Sequence, residues 1–497
     1  MIPPFVALFS FPLIAIILFG SLSQRPAIIW TLLLGYLFLP ATIRLNLPLL
    51  PPLSKDTIPA LSVFLCLMCF GAKARKAQEA PVLKGWLPGD KIMKTLFFAS
   101  ILGAFLTVLT NQDVQRFGPT VLPALRPYDS FSAILNTVFL LLPMFLARKY
   151  LGSEDSHRLL LKSLAIAGAI YSFPIIFELI MSPQLSNIVY GFFPHSWAQH
   201  IRSGGYRPLV FLKHGLWLGI FMCCAVLAAL AYAREAKQET VKFLILGGWL
   251  LFILMLSNTL GAFAIALLLV PAILFLPSRV QLIGAAIVAG CVLIYPTLRG
   301  ADLVPVNQAV DLAASIDAKR GSSLQHRLNN EDQLLERANL RPFFGWGGWS
   351  RSRIFNEQGQ DVSTTDGQWI IQIGERGWLG YLAQFGLLCG PILIFALRPN
   401  KFKIGPATIG LCVVLAANLI DLVPNAGLTV ITWLIGGALI GRLEHQGAEH
   451  PATSDAPVDS GKEKARYSRF DNKPSATRTP AHPVQTRSFG KQSKNAI

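Results

Sequence analysis

Apolar positions in this chain come in long blocks rather than in the short alternations of water-facing elements. Such runs lie near 4–22, 27–43, 58–72, 94–110, 131–149, 159–181, 210–232, 241–256, 259–277, 280–297, 378–397, 405–422 and 425–441. A helix needs ~20 apolar residues to cross the hydrocarbon layer upright, and shorter runs cross where the bilayer thins. The pattern predicts an all-α polytopic membrane protein with about 12–13 transmembrane helices. One interval, 298–377, breaks the rhythm and predicts a long, partly helical loop. Within it Leu324, Leu328, Leu335 and Ala338 form a partial helical stripe. Ser322 or Ser323 can cap its start, and Arg341-Pro342 follows its end. Trp346, Trp349, Trp369 and Trp378 predict a loop resting on the membrane interface, where indole rings settle.

Composition agrees with the blocks. Hydrophobic residues make up 53% of the chain and charged residues 14%, against about a quarter charged in a soluble globule. All seven cysteines fall inside apolar runs, Cys66 and Cys69 included, so neither a disulfide framework nor a zinc site is expected. The segment from Met1 to Leu22 lacks a charged leader and a small-residue cleavage site, and is read as a retained span.

The net charge of +17 changes the picture through its distribution. Lys73, Arg75, Lys76, Lys84, Lys91 and Lys94 share one loop. Arg148, Lys149, Arg158 and Lys162 share the next basic one, followed by Arg234, Lys237 and Lys242, then Arg279, then Arg398, Lys401 and Lys403. Every second loop is basic, which places those loops in the cytoplasm and excludes a nucleic-acid-binding face. The loops 111–130, 182–209, 298–377 and 423–425, with the turn at Ser257-Asn258, then lie outside it. Three regions result: N-terminal transmembrane helices over 1–199, a core over 200–441 that holds the extracytoplasmic loop 298–377, and a tail over 442–497. The tail is rich in Ser, Pro, Lys and Arg and is expected to be disordered in the cytoplasm.

Ionisable groups near the spans are costly and therefore informative. Glu178, Lys213, His214 and Asp421 fall near outer span ends, not at mid-depth where a transporter gathers its polar groups. Arginines occupy two outer segments: Arg202 and Arg207 before one span, and Arg327, Arg337, Arg341, Arg351 and Arg353 in the long loop. Guanidinium groups converging from both would suit a diphosphate, because the planar fork donates paired hydrogen bonds and stays charged. Asp366, His326 and His214 are the candidate proton acceptors beside them. For each the plain alternative stands: an N-cap for Asp366, an exposed ring for His326, an interior ring for His214, and a salt-bridge partner for Glu178.

The run Arg341-Pro342-Phe343-Phe344-Gly345-Trp346-Gly347-Gly348-Trp349 resembles the Pro-(Leu/Phe)-Phe-Gly-x-Gly segment of the O-antigen ligase and O-antigen polymerase superfamily. Arg327 on the preceding helix, Gly374-Glu375-Arg376-Gly377-Trp378-Leu379-Gly380 after it, Arg207 before a span and Ser257-Asn258-Thr259-Leu260-Gly261-Ala262 at a span start look similar to that family as well. The resemblance covers about 200–441. It implies a metal-independent, inverting glycosyltransferase of the bacterial inner membrane, without cofactor. Its substrate would be a glycan on undecaprenyl pyrophosphate, and a chain-length regulator or export complex would be a further partner. It implies pyrophosphate binding by Arg207 and Arg327, with Arg202 and Arg341 beside them, and a base among Asp366, His326 and His214. Ligases of the family carry a histidine where this chain has Asp366-Gly367. That favours polymerisation of repeat units over ligation to a lipid or protein acceptor. A polysaccharide-lipid flippase or transporter is the rival from another class.

Overall fold

The computed structural model describes residues 1–48, 50–70, 82–202, 205–316, 318–348 and 350–449. The lysine-rich stretch over 73–76, Trp349 and the tail beyond 449 lie outside the described residues. In chain order come α1 (Pro4–Ser21), α2 (Gln24–Phe38), β1 (Arg44–Leu45), β2 (Leu53–Ser54), α3 (Ile58–Phe70) and α4 (Lys91–Leu109). Next are β3 (Gln115–Phe117), β4 (Thr120–Leu122), α5 (Asp129–Tyr150), α6 (Glu154–Met181) and α7 (Leu185–Tyr190). A 3₁₀ turn (Trp197–His200), β5 (Ile201–Arg202) and β6 (Gly205–Tyr206) lead into α8 (Gly215–Glu235), α9 (Thr240–Leu256), α10 (Leu260–Phe275) and α11 (Ser278–Gly300). The long loop holds α12 (Val306–Ile316) and α13 (Ala318–Asn339), and α14 (Gln368–Leu397), α15 (Pro406–Asp421) and α16 (Val430–Glu449) follow. The strands form three antiparallel two-stranded hairpins in the connections.

The protein is a mostly helical, multi-pass membrane protein. Seven of the described helices, α1, α4, α5, α6, α8, α11 and α14, are long and apolar enough to cross a bilayer, and α3, α9, α10 and α15 are shorter apolar helices. Large side chains such as Ile245, Leu268 and Ile287 stand out from α9, α10 and α11, a surface that lipid tails suit and water does not. The central helix is α8, apolar on every side and buried on almost every side, packed against α6, α9, α10 and α15. With lipid as apolar as leucine, helices associate through close packing at small residues. Gly168 faces Ala225, and Gly410 faces Ala231. Between α5 and α16 a Cβ at Gly437 would come 2.3 Å from the Met144 carbonyl oxygen, so the two backbones touch.

Ionic groups gather at the two ends of the bundle. At one, Arg148 pairs with Glu444, Arg158 with Glu235, and Lys162 with Glu239 at 2.8 Å. At the other, Lys213 pairs with Asp56 at 2.7 Å, and the turn after α15 meets the starts of α8 and α14: Trp217 Nε1 donates to the Ala426 carbonyl (2.9 Å) and Gln368 N to that of Leu422 (3.0 Å).

Several boundaries differ from the sequence expectation. The chain re-enters the bundle at Gln368 rather than after 377, because α14 is two helical pieces merged across Gly377 (φ 64°, ψ −171°). The loop helix starts at Ala318, ahead of the serines, with a second helix before it. Its buried stripe is Glu331, Leu334, Leu335 and Ala338, and Leu324 and Leu328 are half-buried. Trp346 and Trp369 are buried, so these indoles pack inside the protein instead of resting on an interface. Helix α16 continues to Glu449, past the point where the tail was expected to begin.

Candidate functional site

Glycines explain the segment that carries the family resemblance. Trp346 N donates to the Gly374 carbonyl (2.8 Å), Gly347 N to that of Glu375 (2.9 Å), and Trp378 N to that of Pro342 (2.7 Å). The run 342–347 is thus laid into the break of α14, backbone against backbone. A Cβ on Gly345 would lie 2.6 Å from Arg376 N, and one on Gly377 would lie 2.4 Å from the Phe343 carbonyl. Both have positive φ as well, which side chains resist.

Arg341 belongs to this scaffold. Its Nη1 donates to the Thr110 carbonyl (2.6 Å) and Asn111 Oδ1 (2.7 Å), its Nη2 to Asp113 (2.8 Å), and its guanidinium lies 4.2 Å from the Trp346 ring centre. Arg351, wholly buried, donates to the Pro123 carbonyl (2.8 Å), that of Asp113 (3.0 Å) and that of Trp346 (3.2 Å), and Arg337 donates to the Arg351 carbonyl (2.9 Å). Partial burial works to raise the Asp113 carboxyl, but the Arg341 bond and the charges of Arg341 and Arg351 outweigh it and hold it below the usual range. Burial, with Arg341 alongside, lowers Arg337 and Arg351. The donors of Arg341 and Arg351 are engaged within the protein, so the guanidiniums fasten the 110–128 and 341–353 segments together.

About 18 Å of helix separates Arg327 from the end of α13 at Asn339, and its surroundings differ. Its Nε stands 3.3 Å from Asp366 Oδ2, with 39% of the Arg327 side chain and 27% of that of Asp366 exposed. One turn on, Glu331 is 5% exposed. Burial pushes its carboxyl up to about 7, Arg299 pulls it down, and Asp332 and Asp366 push it up again. Arg299, buried at the end of α11, pairs with Asp332. Asn330 accepts the Thr364 N–H (3.1 Å), which fixes the strand of chain that leads to Asp366. Its amide nitrogen also lies 3.2 Å from His326 Nε2. The His326 ring is otherwise exposed, and Gly367, not Asp366, occupies the N-cap of α14 with no side-chain cap bond.

Arg207 reaches the same end of the bundle through another element. Its Nε and Nη2 donate to the Asn258 carbonyl (3.3 and 3.2 Å), and Asn258 Nδ2 donates back to that of Tyr206 (3.1 Å). Arg202 is in β5, and its side chain lies outside the described residues. His214 caps α8 by accepting the Leu216 N–H (3.1 Å). Among the described residues Glu178 pairs with no basic side chain and instead accepts three backbone N–H groups: Leu185 N (3.1 Å), Leu209 N (2.9 Å) and Val210 N (2.8 Å). The structure therefore brings Arg327, Asp366 and His326 near Glu331, places Arg207 and His214 on the separate connection before α8, and ties Arg341 into the scaffold.

No family model matches the chain, and no curated protein or solved structure is similar to it.

Two features escaped the sequence reading. Glu331 had a signal, for it stands four residues from both Arg327 and Leu335 and so puts a carboxyl in the apolar stripe. Lys55 had none. It lines a cavity of about 560 Å³ with Arg44, Lys213, Leu140, Trp217 and Trp433. Lys55 Nζ donates to the Phe211 carbonyl (2.8 Å), and burial lowers it to about 7.

Proposed function

We propose that this protein is a glycosyltransferase that works at the extracytoplasmic face of a bacterial inner membrane, with twelve or thirteen spans and the 298–367 segment outside. Its donor is an oligosaccharide on undecaprenyl pyrophosphate, and its product is a longer surface polysaccharide. The observation that carries this reading is the trio Arg327, Glu331 and Asp366: a half-exposed guanidinium held by one long ion pair, beside a buried carboxyl poised near neutral pH. In the reaction the acceptor hydroxyl oxygen bonds to the anomeric carbon from the face opposite the leaving group, with inversion. The bond from that carbon to the phosphate oxygen breaks, and the diphosphate leaves with the electron pair. Glu331 takes the hydroxyl proton, which suits a base with a pKa near the working pH. Asp366 keeps Arg327 aimed until the diphosphate displaces it, and Arg327 with Arg207 stabilises the charge that develops there.

The placement of ionic groups at the bundle's two ends supports an enzyme over a flippase, which would be expected to gather them at mid-depth. The cavity with Lys55 and Lys213 at its mouth and Leu140 and Trp433 in its wall suits a lipid diphosphate too. The test is a gel of surface polysaccharide from cells that carry Arg327→Ala or Arg207→Ala, with membrane insertion checked by immunoblot. Each substitution should abolish long-chain glycan while the protein stays inserted. Normal chain length in both variants would defeat the proposal, and free polymer unattached to its acceptor would point to ligation instead.

A further inference from the structure

The 192–214 connection holds a group of side chains that the proposed transfer does not use. His195, His200 and His214 each offer a ring nitrogen within 4.8 Å of the other two. Their ring centres are 4.6 Å (His195 and His214), 5.1 Å (His200 and His214) and 5.8 Å (His195 and His200) apart. They come from an exposed loop, the buried last residue of an otherwise exposed 3₁₀ turn and the cap of α8.

The hydrogen bonds of His200 bear on what the group can do. Its Nδ1 stands 3.0 Å from the Arg207 carbonyl oxygen, which can only accept, so Nδ1 carries the proton and Nε2 the lone pair. A buried imidazole whose far nitrogen is fixed by a carbonyl is the arrangement that orients a metal ligand. We infer that His195, His200 and His214 form a site for a divalent transition metal of the zinc type. Three imidazoles leave a further position for water or an anionic oxygen.

Nitrogens bound to one such ion lie about 3.4 Å apart, given bonds of about 2.0–2.1 Å. The three rings must close slightly, and His195, on its exposed loop, has the freedom to do so. His214 spends Nδ1 on the Leu216 N–H, and ligation through that nitrogen would exchange a helix cap for coordination, which is the stronger bond. The nearby cations do not oppose the ion directly: Lys213 is paired with Asp56, and the Arg207 guanidinium is turned to the Asn258 carbonyl. An ion here would tie the 195–207 segment to the start of α8 and so steady the backbone that bears Arg207.

The test uses the full-length protein in detergent with a tag that contains no histidine, stripped with chelator and desalted. Zinc is titrated against a chromogenic zinc indicator, and cobalt is followed by its visible absorption. The wild type should take one equivalent with a Kd at or below about 1 µM. His214→Asn keeps a side-chain cap for α8 and should weaken binding at least about tenfold. His195→Ala, at an exposed position, should do the same without unfolding the protein, and the tetrahedral cobalt band should disappear in both. No stoichiometric uptake by the wild type, or undiminished affinity in both variants, would overturn the site. Neither readout depends on glycan transfer.

Discussion

Arginines at two levels of one helix do different work. At the C-terminal end of α13, Arg341 and Arg351 give their donors to fixed carbonyls and to Asp113, under glycines that admit backbone to backbone. About 18 Å back along the helix, Arg327 has, among the described residues, one ion pair of 3.3 Å and stands partly in solvent beside Glu331. Guanidiniums held by three or more protein acceptors hold a fold together, and one held by a single ion pair can still take a ligand. The number of arginines in a loop is therefore a poor guide to where an anion binds; the hydrogen bonds each has left are a better one.

That contrast can be broken most forcefully at the scaffold. Gly377→Val adds a Cβ 2.4 Å from the Phe343 carbonyl at a positive φ, and should abolish the monodisperse peak in detergent size-exclusion chromatography. Arg351→Ala leaves at least three buried carbonyls without their donor and should cost about 3–5 kcal/mol, read as a large fall in thermal midpoint. Arg327→Ala should cost under about 1 kcal/mol, as for a solvent-exposed pair, and barely move that midpoint. Equal losses in the two variants would erase the distinction drawn here.

Glu331→Gln sharpens the comparison from the other side. The folded carboxyl keeps its proton to about 7, whereas the unfolded one releases it near 4.5. Stability therefore falls as pH rises through that window, by up to about 3 kcal/mol, and stays low above it. Glutamine carries no charge to bury, so the variant should melt higher than the wild type at pH 8 and match it near pH 4. Its transfer rate should drop about 100-fold or more and lose the rise through pH 7 that an essential base confers. The smallest effect belongs to Asp366→Asn, expected at about tenfold in rate because it loosens Arg327 without removing the base. A greater loss there than in Glu331→Gln would move the base to Asp366.

Long apolar blocks were legible because a bilayer enforces them, residue by residue. The two-piece nature of α14 was not, since Gly374 to Gly380 reads equally well as a loop end or as a helix with a break until its partner, 342–347, is laid against it. The division among the arginines was hidden for a similar reason: Asp113 and Pro123, whose carbonyls bind Arg351, lie more than two hundred residues away in the chain. The helical period did give Arg327 and Glu331 one face. Burial of Glu331, which makes it chemically interesting, depends on Trp369 and Arg299 from other elements.

Glu178 has a consequence for height. Helix α6 is tethered near its start by the Arg158 pair with Glu235, and Glu178 lies twenty residues further along, a rise of about 30 Å, close to the thickness of a hydrocarbon layer. By gripping Leu209 and Val210, that carboxylate pins the stretch after Arg207 to the far mark of a built-in ruler. Any headgroup met by Arg207 is thus encountered at a level set by the span itself, whatever the pliancy of the connections around it.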